Sequence, residues 1–320
     1  MLAIITLVAP VFGLIAIGWG AARIRYVPEA AGPLLSEFAY KILIPALLFR
    51  AMATMAPPAQ SPWLLAGTYA TAVALIWITA TLATLILLRR PAADAPAIAF
   101  ATTFGNGLML GIPLILSAFG PQAATPVAIL VTCDTIMLWM LGTLHMELAL
   151  RGFGGGSLAS TARTVLDLVR NPIIAAVIIG TLWRWSGIAL PGIADKLIAL
   201  LGGAAIPVSL TALGMTLARY EIKGQTPTLL LITVLKLIAF PAVTLWLGLF
   251  VFGLTPLWAG ALAVFSSMPV GANAFVFAAR YERAVGSVSA AVAVSTIIAV
   301  LTVTATLAVL QEMGLPVRVS

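Results

Sequence analysis

Two short stretches, FGNGLMLGIPL (Phe104 to Leu114) and FSSMPVGANAF (Phe265 to Phe275), set glycine, asparagine, serine and proline inside long apolar runs. Proline removes a backbone donor and clashes with the preceding helical turn, while glycine lowers the cost of leaving helical dihedrals. Both stretches therefore read as unwound segments. Amides and carbonyls freed from a helix are tolerated in hydrocarbon only where they line a cavity or find partners. The N-terminal ends of the resulting half-helices would hold unpaired N–H groups with partial positive charge, a setting for an anion such as a carboxylate. The candidate binding residues are Gly105, Asn106, Gly111 and Pro113 in the first stretch and Ser267, Pro269 and Asn273 in the second, with Ser266 as a further donor.

Lys41, Asp134 and Lys236 fall deep inside apolar runs. A charge there costs about 2.5–3.5 kcal/mol on insertion scales unless paired or hydrated, so each is a candidate for ion coupling. Asp134 would carry a proton, ligate sodium, or cap unwound backbone nearby. Lys236 would neutralise Asp134 or attract anions, and the sequence does not fix its direction. Glu37 precedes Lys41 by four residues, the favourable order for an ion pair on a helix, and the pair reads as a structural tie rather than a substrate contact. Cys133 and His145 are the single cysteine and histidine, so neither a thiolate nor an imidazole cluster can hold a metal, and no cofactor is expected. Paired acids or a nucleophile with its base at one depth are also missing, which argues against an enzyme. The net charge of +7 comes from residues at the ends of apolar runs rather than from a basic patch, so nucleic acid is not the expected partner.

These groups need elements that can carry them through a bilayer. Of 320 residues 62% are hydrophobic and 8% charged, and apolar runs long enough to span recur without the alternation of barrel strands. Proline, glycine and charge signals divide the chain into ten spans: 2–22, 34–55, 63–88, 95–119, 126–150, 168–185, 193–218, 228–252, 257–279 and 287–310. Alternating the sides puts Arg23, Arg25, Arg89, Arg90, Arg151, Arg163, Arg170, Arg219, Lys223, Arg280 and Arg283 together, against Arg50, Arg184, Lys196 and Arg318. The richer side is expected to be cytoplasmic, which leaves both termini on the outer, periplasmic face of the cell (inner) membrane.

Five spans per half make the halves antiparallel if they share a fold. Ile-Pro recurs in mid-span in KILIPALLF (41–49) and AAIPVSL (204–210), and Pro113 and Pro269 follow in spans 4 and 9. Glycine and proline can simply kink or pack a membrane helix, yet matched interruptions with an asparagine at each point to an inverted-repeat transporter. The expected organisation is a first repeat at 1–150, a cytoplasmic linker at 151–163 and a second repeat at 164–320. Spans 4 and 9 are expected to break near Pro113 and Pro269 and to cross. Asn106 would lie about 15 Å into span 4, at the middle of a core about 30 Å thick.

NGLMLGIPL (Asn106 to Leu114), ANAFVFAARY (Ala272 to Tyr281), IPALLFRAM (Ile44 to Met52), RNPIIAAVIIGTLW (Arg170 to Trp183) and LGGAAIPVSLTALGMTL (Leu201 to Leu217) resemble the auxin efflux carrier family. The resemblance runs through both halves and is to the short, bacterial-type members. It implies an all-α polytopic membrane protein with ten transmembrane helices in two inverted five-helix repeats and crossing helices 4 and 9, similar to bile-acid and sodium/proton carriers. Helices 1, 2, 6 and 7 would form a scaffold, often homodimeric, and helices 3–5 and 8–10 a moving transport domain. The implied activity is secondary active transport of a small organic anion, a mono- or dicarboxylate, by alternating access, with H+ or Na+ as coupling ion. Short members are linked with malonate and malate and plant members with auxin, but residues 151–163 are too few for the large plant loop. Sodium/proton antiport is the first alternative, although spans 4 and 10 offer no second carboxylate beside Asp134. A uniporter or channel is another, since broken helices also line pores.

Overall fold

The computed structural model describes residues 2–54, 60–151, 172–218 and 226–318. Most of the expected linker 151–163, together with Arg163, Arg170, Arg219 and Lys223, lies outside the described residues. Helices account for nearly everything described: α1 (Leu2–Arg23), α2 (Ala31–Thr54), α3 (Pro62–Leu87), α4 (Ala95–Thr103), α5 (Gly107–Phe119), α6 (Ala124–Arg151), α7 (Pro172–Ser186), α8 (Gly192–Leu217), α9 (Thr226–Val251), α10 (Pro256–Ser266), α11 (Ala272–Tyr281) and α12 (Val285–Glu312). Helices α2, α3, α6, α8, α9 and α12 contain stretches long and apolar enough to cross a bilayer, and shorter apolar helices accompany them. The chain is a polytopic α-helical membrane protein.

Prolines shape three of these helices in one way. A proline ring collides with the carbonyl four residues back, and widening the preceding turn by one residue removes the collision. Wide turns at Ala39–Leu43, Gly107–Gly111 and Leu235–Ala239 each end two residues before a proline, namely Pro45, Pro113 and Pro241. Pro113 thus sits in continuous helix. The expected interruption of span 4 falls instead at Phe104–Asn106, between α4 and α5, because the wide turn absorbs the proline. In span 9 the break covers Ser267 to Gly271 and does contain Pro269.

Two groups of helices pack mainly within themselves, with fewer contacts between them. In one, α1 lies along α8, and α2 lies along α7 and α8. Gly18 and Gly214 let the first pair approach to backbone contact: a Cβ on Gly18 would stand 2.0 Å from the Thr211 carbonyl oxygen, and one on Gly214 2.0 Å from that of Ile15. Small residues at such a seam let helix backbones pack closely where lipid supplies little hydrophobic drive. Gly18→Ala should therefore force α1 from α8 and lower stability by about 1–3 kcal/mol, seen as a lower melting temperature in detergent. An unchanged melting point would show that the seam is not tight. Arg50 on α2 ties this group further, reaching Asp195 on α8 with Nε at 2.7 Å and Nη2 at 3.1 Å.

The second group holds α3, α4, α6 and α9 to α12. An aromatic cluster joins its members. Phe100 on α4 stacks on Phe277 of α11 at 4.4 Å between centroids and on Phe104 at 5.1 Å, with Trp139 of α6 edge-on at 5.6 Å. Each such pair adds about 0.5–1.5 kcal/mol beyond its buried area, so α4, α6 and α11 are held in one arrangement around the breaks.

Candidate functional site

The two breaks meet. Gly105 and Val270 pair as a single antiparallel bridge, in which the Asn106 N–H donates to the Pro269 carbonyl at 2.7 Å and the Gly271 N–H to the Phe104 carbonyl at 3.0 Å. The Val270 N–H donates to Ser295 Oγ of α12 at 3.0 Å. Part of the backbone freed by the interruptions is thereby satisfied inside protein, as a low-dielectric setting demands. Glycine is required at this crossing. A Cβ on Gly271 would lie 2.8 Å from the Gly105 carbonyl oxygen, and one on Gly105 2.9 Å from Lys236 Nζ.

Lys236 occupies the rear of the crossing. It is 1% exposed, and its ammonium donates to the Thr103 carbonyl and the Ser266 carbonyl at 3.1 Å each, while facing the Phe240 ring at 4.7 Å. Thr103 ends α4 and Ser266 ends α10, so one cation caps two helix C-termini where partial negative charge gathers. Asp134 on α6 lies within electrostatic reach of Lys236, is 4% exposed, and accepts a hydrogen bond from the Tyr69 hydroxyl of α3. Tyr69 is held between Phe240 and Phe265, with both ring centroids at 5.9 Å.

In front of the crossing is a cavity of about 650 Å³, within the usual range for a small-molecule site. Its inner wall carries Gly105, Asn106, Met109, Ala272 and Asn273, with Asp134 and Trp139 from α6 beside them. Glu37 and Tyr40 of α2 and Leu213 and Thr216 of α8 form the facing wall, so the cavity separates the two helix groups. Asn106 is 8% exposed; its side-chain oxygen accepts from the Met109 N–H at 3.3 Å, which caps the start of α5. That bond leaves the Asn106 carboxamide N–H groups for the cavity. The amides of Leu108, Ala272 and Asn273, at the starts of α5 and α11, have no hydrogen-bond partner among the described residues. The site thus offers N–H donors from two half-helices and two asparagines.

Of the residues singled out from sequence, Gly105, Asn106, Asn273 and Asp134 come together on this cavity. Gly111, Pro113, Ser267 and Pro269 do not line it. Pro269 acts through its carbonyl in the bridge, the Ser267 hydroxyl donates to the Val264 carbonyl at 2.8 Å, and Gly111 lies against Met268. Lys41 is exposed and joined to Glu37 at 2.5 Å, as the four-residue spacing predicts. Arg280, counted above only as a topological charge, lines the cavity and was missed as a candidate. Its signal was its spacing of seven residues from Asn273 on one helix.

Half-helix ends that converge on a largely apolar cavity with a few polar groups, at the meeting of two packed groups, are the arrangement of a membrane transporter. A family model described as membrane transport protein matches residues 3–153 and 157–307. The chain belongs to this family, that of the auxin efflux carriers. It is 29% identical over 282 residues, 86% of each chain, to a protein of Rhizobium meliloti (strain 1021) described as "Putative malonate transporter".

Proposed function

We propose that the protein is a secondary active transporter of a small organic carboxylate, which it binds at the crossing and moves by alternating access. The observation that carries this reading is the cavity where the unpaired amides of α5 and α11 and the Asn106 carboxamide face one space. Such donors match a carboxylate, and the rhizobial relative's description makes malonate the first substrate to test. The two halves are read as inverted five-helix repeats in a ten-helix fold. Matched pairs support this: α1 lies on α8 as α2 lies on α7, and α3 packs on α4 as α9 packs on α10. The ends of α3 and α9 also match, each closing in a wide turn, at Ala83–Leu87 and Leu247–Val251. In this arrangement α1, α2, α7 and α8 are the scaffold, also the expected homodimer surface, and the remaining helices move as the transport domain. The inner membrane with both termini outside is the orientation that the basic residues favour.

We assign the coupling to protons. Lys236 Nζ already fills the place between two helix C-termini where a bound cation would be held, and Asp134 beside it is a carboxylate that can load and release H+. Counterflow of labelled malonate in proteoliposomes tests the whole reading. Saturable exchange, with net uptake driven by an imposed pH gradient and both indifferent to replacing Na+ with choline, is the expected result. A conductance that does not saturate would make the protein a channel, and strict dependence on Na+ would overturn the proton assignment.

Asn106→Ala is expected to weaken malonate binding by tenfold or more, since hydrogen bonds to charged groups contribute about 1.5–3 kcal/mol. Stability should fall by only about 1 kcal/mol, the loss of the cap on α5. Unchanged half-saturation for malonate would remove Asn106 from the binding surface.

A further inference from the structure

Arg280 stands in the last turn of α11, and Asn273 in its first. Seven residues are close to two full turns, so the two side chains leave one face of the helix, about 10 Å apart along its axis. Helical side chains tilt toward the N-terminus, which brings the Arg280 guanidinium back toward Asn273 and shortens that gap. Both residues line the cavity. Arg280 is the basic residue that does so among the described residues, and no carboxylate there pairs with it. The facing acid, Glu37, is engaged by Lys41, and Asp134 is engaged by Tyr69. The Arg280 guanidinium also lies near the Tyr281 ring, at 5.7 Å.

The cavity therefore has two anion-seeking ends. At one end are the carboxamide of Asn106, a residue more than nine-tenths buried, and the free amides at the starts of α5 and α11. At the other is a guanidinium, whose planar fork suits a carboxylate. We propose that Arg280 is the specificity residue for a short α,ω-dicarboxylate, whose first carboxylate docks at the crossing and whose second is clasped by Arg280. This rests on the carboxylate-transport reading and narrows it from carboxylates at large to diacids. A monocarboxylate can fill the crossing end but leaves Arg280 without a partner.

The test compares malonate with acetate as substrates of the purified full-length protein in proteoliposomes, for the parent and for Arg280→Gln. The parent should show a half-saturation for malonate at least tenfold below that for acetate. Arg280→Gln should raise the malonate value tenfold or more and move the acetate value less than twofold, because only the second carboxylate loses its partner. Arg280→Lys keeps the charge without the fork, and it repeats the test if the Gln protein fails to fold: malonate alone should shift. A parent that takes both acids equally, or variants that shift both substrates together or neither, would overturn the proposal. Absence of any saturable carboxylate uptake by the parent would sink the underlying transport reading instead, so the two failures are distinct.

Discussion

Asp134→Asn is expected to abolish uphill uptake while leaving substrate-for-substrate exchange intact. A proton carried with each substrate across a gradient of one pH unit supplies about 1.4 kcal/mol, enough to concentrate the substrate about tenfold. Asn has the shape of Asp and can still accept from Tyr69, so packing on α3 should persist. It cannot bind and release a proton, so the accumulation ratio should fall to about one. Exchange needs no net proton movement and should continue at a comparable rate. The measurement is paired: uptake driven by an imposed pH gradient, and counterflow at equal pH on both sides. Accumulation that persists in the variant would remove Asp134 from the coupling, and joint loss of both activities would make it a structural support for the crossing.

How much of this could be read from the chain depends on the range of each interaction. The two interruptions were legible because glycine and asparagine mark the backbone locally, and the Glu37–Lys41 tie because its spacing alone decides it. The position of the first break was not, since a proline can be absorbed by a wide turn as well as by unwinding, and both options fit FGNGLMLGIPL. Arg50 and Asp195 pair across helices far apart in the chain, a contact that no spacing rule contains. Their pairing does place the end of α2 beside the start of α8, in keeping with Arg50 and Lys196 on one side of the membrane. Arg280 was lost for a different reason: a basic residue near a helix end fits the topology rule whether or not it also faces a cavity. Lys236 was visible as a costly charge, but its direction depends on the rotation of α9 about its axis. That rotation is set by packing against α3, α10 and α12 rather than by α9 itself.

That direction makes the largest stability effect the replacement of Lys236. In the native arrangement its ammonium satisfies the carbonyls of Thr103 and Ser266, opposes the end charges of α4 and α10, and compensates Asp134. Lys236→Met keeps most of the buried stem and removes all three interactions. Removing one of two interacting buried charges costs about 3–5 kcal/mol, chiefly because the remaining carboxylate keeps the Tyr69 hydroxyl but no opposing charge. Two carbonyls without donors add to the loss. The variant should melt well below the parent in detergent and should lose malonate binding with it, because the crossing that carries Asn106 and the α11 amides opens. Adding Asp134→Asn to Lys236→Met removes the carboxylate left without an opposing charge, so the double variant should be more stable than Lys236→Met alone, and with Asp134→Asn completing the cycle the coupling between the two residues is measured. A Met variant as stable as the parent would mean that the half-helices hold together without the cation. A double variant no better than the single would mean that the helix ends, and not Asp134, are what the ammonium stabilises.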